Sequence, residues 1–336
     1  MSATKREDWL DALKGFAIIC IVLGHVIERA ETGIGYVGEP LHFIDVFVNR
    51  IHIYIFFITS GYLYGKYDRK KLRNGGYTKT YVRKKVLDLF LPYTYFAVLI
   101  WIGKMIFSDY VVRKTSVMDL LMMFINPVAF MWYIYVLFII LMMVFTLDKF
   151  FNFRNSSIMM ITLILLAIEV IIDPSYVAIY KTLHNVGVLF LGVILSEKEE
   201  ILSNRKYLYI SGCLTMIFGV LSWCFEGRYD IIDVVINYSS AYFFMSLFYT
   251  FKDIKCDWVK KLGNETLYIY IMHPIILNLV RMIFMKCKFY NLGVWIAVLL
   301  ILGIGIPYIY AQIAKRFFIL EVPFKPRKYI EKSMKK

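Results

Sequence analysis

Apolar and polar positions alternate in long blocks along the chain. Predominantly apolar runs of about 18–22 residues are separated by short segments rich in lysine and arginine, and runs of that length cross a bilayer as helices. The pattern predicts an all-α, polytopic integral membrane protein with about ten spans, forming a single membrane domain over residues 1–336. The predicted spans lie near residues 9–27, 43–65, 85–108, 130–148, 156–173, 178–196, 207–225, 231–251, 264–285 and 292–314.

The basic residues fix the predicted orientation. The loops on the N-terminal side of the predicted bundle carry many more lysines and arginines than the opposite loops, so both termini are expected in the cytoplasm. Residues 315–336 are then a basic cytoplasmic tail. The stretch 117–127 is too short to span and is expected to form an interfacial or re-entrant helix. Any chemistry is therefore expected within the bundle or at its faces.

Composition supports a membrane protein and excludes other classes. The chain is 60% hydrophobic, above the roughly 45–50% of soluble domains. Its net charge of +14 comes from short basic bursts between spans, without a nucleic-acid motif, so no nucleic-acid partner is predicted. The five scattered cysteines match neither a disulfide framework nor a metal-ligand spacing, so no metal is expected.

Polar residues in the first span mark a candidate site. Asp11, Lys14 and His25 share one helix face, because eleven residues at 100° each return to within about 20° of the starting direction. Asp11 lies one turn from Lys14 and can offset its charge. Lys14 and His25 are about 16 Å apart along the helix axis. Snorkelling of Lys14 and an interfacial His25 remain the alternative.

Histidines also occur in the second, sixth and ninth predicted spans, and those of the second and ninth are candidate site residues. Asn49 and His52 share one face of the second span, with Ser60 slightly off it. His273 lies near the middle of the ninth span, beside Pro274, which frees a backbone carbonyl. We expect these polar groups to contribute to substrate binding. Hydrogen bonds that only pack helices together are the alternative.

The cytoplasmic loop that follows the second span is the densest basic segment. Arg69, Arg73, Arg83, Lys84 and Lys85 are candidates for binding the phosphates of an anionic cofactor through charge-assisted contacts. The alternative is that they serve ordinary membrane topology and bind anionic lipid headgroups.

Several segments together resemble the membrane acyltransferase 3 family. They occur in the family's order over residues 6 to about 310: REDWLDALKGFAIICIVLGH, RIHIYIFFITSGYLYG, RKKVLDLFLPY, MWYIYVLF and LGNETLYIYIMHP. The first two are most similar to its fucose 4-O-acetylase-like branch. The sharpest feature is a basic residue, ten intervening positions and a histidine, which Lys14 and His25 match.

The resemblance implies an O-acyltransferase of the bacterial inner membrane. Such enzymes move an acyl group, usually acetyl from acetyl-CoA, to sugars of surface polysaccharides, as in exopolysaccharide biosynthesis. His25 would be the catalytic histidine and Lys14 its basic partner, with Arg69, Arg73 and Arg83 contacting acyl-CoA. Two residues depart from the family pattern. His52 is followed by Ile-Tyr-Ile-Phe instead of Met-Pro-Leu-Phe, and Lys14 stands where an arginine is more common.

The expected reaction is attack of a sugar hydroxyl on the thioester of acyl-CoA. The acceptor is a polysaccharide or a lipid-linked glycan precursor, and His25 acts as general base, because a neutral imidazole suits that task near pH 7. Direct transfer and acyl relay across the membrane both stay open, as do acetyl and other acyl groups such as succinyl. The alternatives from other classes are an exporter or flippase for a sugar and an anion-binding scaffold in a biosynthetic complex.

Overall fold

A computed structural model of the chain describes residues 7–74, 77–106, 115–151, 157, 160–162, 164–165, 168, 176–225, 230–253 and 256–334. Over these residues the regular structure is helical and no strand occurs, which confirms the all-α prediction. The predicted fifth span, 156–173, falls largely outside the described residues.

The helices follow one another with short connections. In chain order they are α1 (Asp8–Ile34), α2 (Glu39–Leu63), α3 (Lys70–Arg73), α4 (Thr78–Lys85), α5 (Leu91–Ile106), α6 (Val117–Leu121), α7 (Trp132–Phe151), α8 (Val177–Glu197), α9 (Glu199–Leu202), α10 (Arg205–Phe225), α11 (Asp230–Thr250), α12 (Asp257–Asn264), α13 (Thr266–Lys286), α14 (Leu292–Ala314), α15 (Phe318–Glu321) and α16 (Pro326–Ser333). Two π-helical segments, Tyr64–Arg69 and Val86–Phe90, join α2 to α3 and α4 to α5.

Long apolar helices dominate the described part of the chain. Nine helical runs there are long and apolar enough to cross a membrane, which confirms a polytopic membrane protein. They are Asp8–Ile34, Glu39–Arg73, Thr78–Ile106, Ala129–Phe150, Val177–Glu197, Arg205–Phe225, Ile231–Thr250, Thr266–Lys286 and Leu292–Ala314.

The chain forms two compact units. Unit 1 combines the residues up to Thr59 with Lys198–Ile313, and unit 2 combines Ser60–Glu197 with the residues from Ala314 onward. The division falls within the continuous helical run Glu39–Arg73.

In unit 1 the short helix α12 lies directly against the first turns of α1. A Cβ atom added to Gly263 would lie 1.7 Å from the carbonyl oxygen of Asp11, and one added to Gly15 would lie 2.0 Å from that of Val259. Only glycine permits so close an approach of two backbones. The ion pair between Lys260 and Asp8, at 3.0 Å, holds the same contact at its edge.

In unit 2 the C-terminal residues fold back onto the protein. The ring of Phe324 packs against Phe96 with centroids 4.6 Å apart, and Arg327 Nε lies 3.0 Å from Asp88 Oδ1. The buried Glu321 accepts hydrogen bonds from Lys328 and Tyr329. The residues predicted to be a basic tail therefore form an ordered segment that covers part of unit 2.

Replacing Gly263 by alanine should destabilise unit 1, because the new methyl group meets main-chain atoms that cannot rotate away. We expect a cost of about 1–3 kcal/mol, typical of overpacking. Thermal unfolding of the purified protein in detergent measures it. Gly305→Ala is the matched control, since no atom lies within 4 Å of a Cβ there. Equal unfolding temperatures for the two variants would contradict the close contact.

Glu321 should make the C-terminal segment sensitive to acid. Burial raises the pKa of this carboxyl, but hydrogen bonds from Lys328 and Tyr329 outweigh it and hold the pKa below its usual value. Ionised Glu321 therefore stabilises the segment above the unfolded pKa of about 4.3, and the stabilisation disappears as the pH falls through the folded pKa. Glu321→Gln, which mimics the protonated state, should speed amide exchange over residues 318–333 at pH 7. Glu331→Gln, at an exposed position, should not.

Candidate functional site

His25 is held by a carboxylate on its own helix. Its Nδ1 lies 2.9 Å from Glu28 Oε2, and the spacing of three residues puts both side chains on one face of α1. An ionised carboxylate can only accept, so Nδ1 of the neutral imidazole carries the hydrogen and Nε2 carries the lone pair. With 30% of its side chain exposed, His25 can accept a proton from a bound substrate.

Glu28 is itself fixed by Arg29. Arg29 Nη1 donates to Glu28 Oε1 at 2.7 Å, so the carboxylate binds a guanidinium on one oxygen and an imidazole on the other. The positive charge favours the ionised carboxylate, which can then stabilise a protonated His25. Glu28 and Arg29 are not among the residues predicted from the sequence. The i, i+3 spacing of His25 and Glu28 was the available signal.

His273 approaches His25 from α13. The two rings have centroids 5.2 Å apart, and His273 is completely buried. Its Nδ1 donates to the carbonyl of Ile269 at 2.8 Å, and its imidazole also bonds the carbonyl of Tyr270. That second carbonyl lies four residues before Pro274, which has no N–H to offer it. The proline thus supplies an acceptor that helps fix the orientation of the imidazole.

Asn49 on α2 lies beside the same turn of α1. A Cβ added to Gly24 would be 3.0 Å from Asn49 Oδ1, so the amide packs against the residue that precedes His25. Its Nδ2 donates to Asp45 Oδ1 at 2.9 Å. The amide is exposed and available to a ligand.

His52 follows one turn later on α2. Its Nδ1 donates to the carbonyl of Val48, so its neutral form keeps the lone pair on Nε2. The imidazole is close enough to His25 and His273 to interact with both electrostatically. Four of the predicted residues, His25, Asn49, His52 and His273, are therefore brought together within unit 1.

Other predicted residues lie apart from this cluster. Lys14 Nζ is 2.7 Å from Asp11 Oδ1, and this pair sits near the start of α1, about 16 Å along the axis from His25. Ser60 belongs to unit 2, where it hydrogen-bonds Tyr133.

In unit 2, Arg69 is buried in a network of carboxylates. Its Nε lies 3.0 Å from Asp148 Oδ1 and its Nη1 lies 2.7 Å from Glu197 Oε1. Asp148, also buried, accepts from Arg73 Nη2 at 3.0 Å and from the hydroxyl of Tyr64 at 2.8 Å. Tyr64 and Arg69 are five residues apart, and the π-helical segment aligns them on the same carboxylate. Arg69 is thus saturated by internal partners.

Two other predicted basic residues lie near a second buried carboxylate. Lys84 Nζ and Lys85 Nζ lie 3.8 and 3.7 Å from the two oxygens of Asp68. Arg83 donates instead to the sulfur of Met334 at 2.6 Å, in the C-terminal segment. The ion pairs of Lys84 and Lys85 with Asp68 are longer than direct hydrogen bonds.

Comparison with known proteins agrees with this architecture. A family model described as an acyltransferase domain, that of the acyltransferase 3 family, matches residues 7–312. Because the match covers nearly the whole chain, the protein belongs to this family and is a multi-pass membrane acyltransferase. The predicted family is confirmed, whereas the fucose 4-O-acetylase-like branch stays a prediction. No curated protein and no solved structure matches the chain.

Asp148→Asn should strongly destabilise unit 2, because it removes the buried carboxylate that Arg69 and Arg73 share and leaves Glu197 as the partner of Arg69. Breaking one partner of a buried pair costs about 3–5 kcal/mol, and Glu197 should keep the loss near the lower value. Thermal unfolding in detergent measures the change, with the exposed Asp253→Asn as control. The double variant Arg69→Met/Asp148→Leu removes both charges and should recover much of the loss. Equal destabilisation in the single and double variants would show that packing dominates instead of charge.

Proposed function

We propose that this member of the acyltransferase 3 family transfers an acyl group from acyl-CoA to a sugar hydroxyl. The proposed acceptor is a surface polysaccharide or its lipid-linked precursor, in line with the fucose 4-O-acetylase-like branch that the first segments resemble. The pairing of His25 with Glu28 carries the proposal, because an imidazole oriented by a carboxylate is the arrangement that activates hydroxyl nucleophiles. Membership in an acyltransferase family favours this reaction over export of a sugar or a purely scaffolding role.

In the proposed mechanism His25 acts first as base and then as acid. Its Nε2 takes the proton of the sugar hydroxyl while the oxygen attacks the carbonyl carbon of the thioester. Glu28 stabilises the imidazolium that results. When the carbon–sulfur bond breaks, His25 returns the proton to the departing thiolate, so the products are a sugar ester and CoA thiol.

Asn49 and His52 are suited to orienting the acceptor. The neutral His52 presents an accepting Nε2, and the amide of Asn49 both donates and accepts. Sugar hydroxyls also do both, so these two groups can select the hydroxyl that reaches His25. The ring of His273 packs beside that of His25.

We assign the basic residues of unit 2 to the donor. Arg73 and Lys84, with side chains 33% and 30% exposed, and the partly exposed Arg83 are suited to contact the phosphates of CoA. Lys85 is less exposed, at 16%, and contributes charge to the same surface. Arg69 shares a carboxylate with Arg73, so we assign it to positioning that residue.

The proposed setting is a bacterial inner membrane with both termini in the cytoplasm. Acetyl-CoA is cytoplasmic, and α1 would place His25 toward the outer half of the bilayer. Direct transfer to an acceptor that enters the bundle and relay of the acyl group across it are both compatible with the chemistry at His25.

Removing the base should abolish transfer. In closed membrane vesicles that contain the cognate glycan, His25→Ala should lower the incorporation of label from radioactive acetyl-CoA into alkali-labile glycan esters by about 10²–10⁴-fold. Glu28→Gln keeps an acceptor for Nδ1 but removes the charge. It should cost about 10–100-fold, the equivalent of about 1.5–3 kcal/mol.

The matched control is Glu200→Gln, an exposed carboxylate on the short helix α9. Full transfer by the His25→Ala variant would exclude His25 as the general base. Movement of glycan across the vesicle membrane without any transfer of label would favour the exporter.

A further inference from the structure

Arg281 lies in the membrane-spanning helix α13 and forms no ion pair with the residues that the structure describes. Its Nε is buried and has no hydrogen-bond partner among the described residues. Arg50, another arginine in a spanning helix of unit 1, lies 2.7 Å from Asp233 and is compensated. Placing an arginine within a membrane-spanning helix costs free energy, so an arginine without an ion pair there indicates a ligand or a function.

A second guanidinium lies near it. Arg281 is within electrostatic range of Arg29 and Glu28, and the Nε of Arg29 is likewise buried without a partner in the described part of the chain. Two positive charges thus share the carboxylate of Glu28, which His25 also uses. In a medium of low dielectric constant the like charges repel strongly, and a bound anion would relieve that repulsion.

Glu28 offsets the charge of Arg281 only in part. It is a carboxylate that acts electrostatically on Arg281, but its two oxygens already bond Arg29 and His25. Asp45, the next carboxylate in this region, interacts with Glu28 and Glu31. Of the two arginines, Arg281 is therefore the one without an ion pair to a described carboxylate.

The position of the two arginines relates them to the proposed base. Arg29 follows His25 by four residues, about 6 Å along α1, and Arg281 follows His273 by eight residues along α13. Since the rings of His25 and His273 adjoin, both arginines lie beyond the histidines toward the C-terminal ends of their helices. A ligand held there would extend from the arginines to His25.

We infer that Arg29 and Arg281 bind an anionic group of the acceptor and thereby place its hydroxyl at Nε2 of His25. The group is a carboxylate or a phosphate, because a guanidinium fork matches the oxygens of both. A carboxylate would come from an acidic sugar, and a phosphate from a lipid-linked precursor. The inference rests on the proposed function for the identity of the ligand, while anion binding itself can be tested alone.

Binding is measured without turnover. The purified full-length protein in detergent is heated with sodium glucuronate, inorganic pyrophosphate or glucose at equal ionic strength. Wild type should be stabilised by one anion and not by glucose. A response to glucuronate identifies an acidic sugar, and a response to pyrophosphate identifies a phosphate-bearing precursor.

Variants of Arg281 locate the site. Arg281→Gln should lose the stabilisation, whereas Lys286→Gln, which removes a charge from the last turn of the same helix, should keep it. If Arg281→Gln does not fold, Arg281→Lys decides, because it keeps the charge but loses the fork and should weaken binding about tenfold. An anion response that persists undiminished in the Arg281 variants, or none in wild type, overturns the inference.

Turnover separates this inference from the proposed function. With acetyl-CoA as donor, Arg281→Lys should raise the KM for the glycan about tenfold and leave the KM for acetyl-CoA unchanged. Anion binding at Arg281 without any acyl transfer would refute the proposed function alone. Acyl transfer with an unchanged KM for the glycan in this variant would refute the acceptor contact alone.

Discussion

Polar side chains within the spanning helices need partners inside the protein, since lipid supplies none. The arrangement around His25 depends on this constraint. Glu28 can remain ionised because Arg29 bonds it, and the ionised carboxylate in turn fixes which nitrogen of His25 accepts a proton. Arg29 thus keeps Glu28 charged, and Glu28 in turn determines at which nitrogen the imidazole of His25 is basic.

The two units meet this requirement in different ways. In unit 1 some polar groups are only partly satisfied, His25 and Asn49 are accessible, and the imidazoles retain a basic nitrogen, as proton transfer requires. In unit 2 charged side chains form ion pairs with one another, and the fully buried pair of Arg69 and Asp148 is the clearest example. A buried, saturated ion pair contributes geometric specificity more than net stability, so Arg69 suits a supporting role better than direct ligand contact.

Helical periodicity predicted much of this arrangement, because bilayer thickness sets span length and shared faces follow from 3.6 residues per turn. It predicted that Asn49 and His52 share one face of the second span, and the structure places Asn49 beside Gly24 and His52 near His25 and His273. It could not pair Arg69 with Asp148, which is 79 residues away in sequence, because the basic run around Arg69 reads equally well as topology or as a ligand site. The ordered C-terminal segment was also hidden, since its basic composition resembles that of a solvated tail.

The pairing of His273 with Pro274 has a consequence for how protons can move near the site. The Nδ1–H of His273 is committed to main-chain carbonyls, one of which is available because Pro274 cannot bond it. A backbone carbonyl never gives up its role as acceptor, so this N–H persists whether the ring is neutral or charged. His273 can therefore gain or lose a proton only at Nε2. His273 therefore cannot relay a proton from one ring nitrogen to the other while the main chain keeps this conformation.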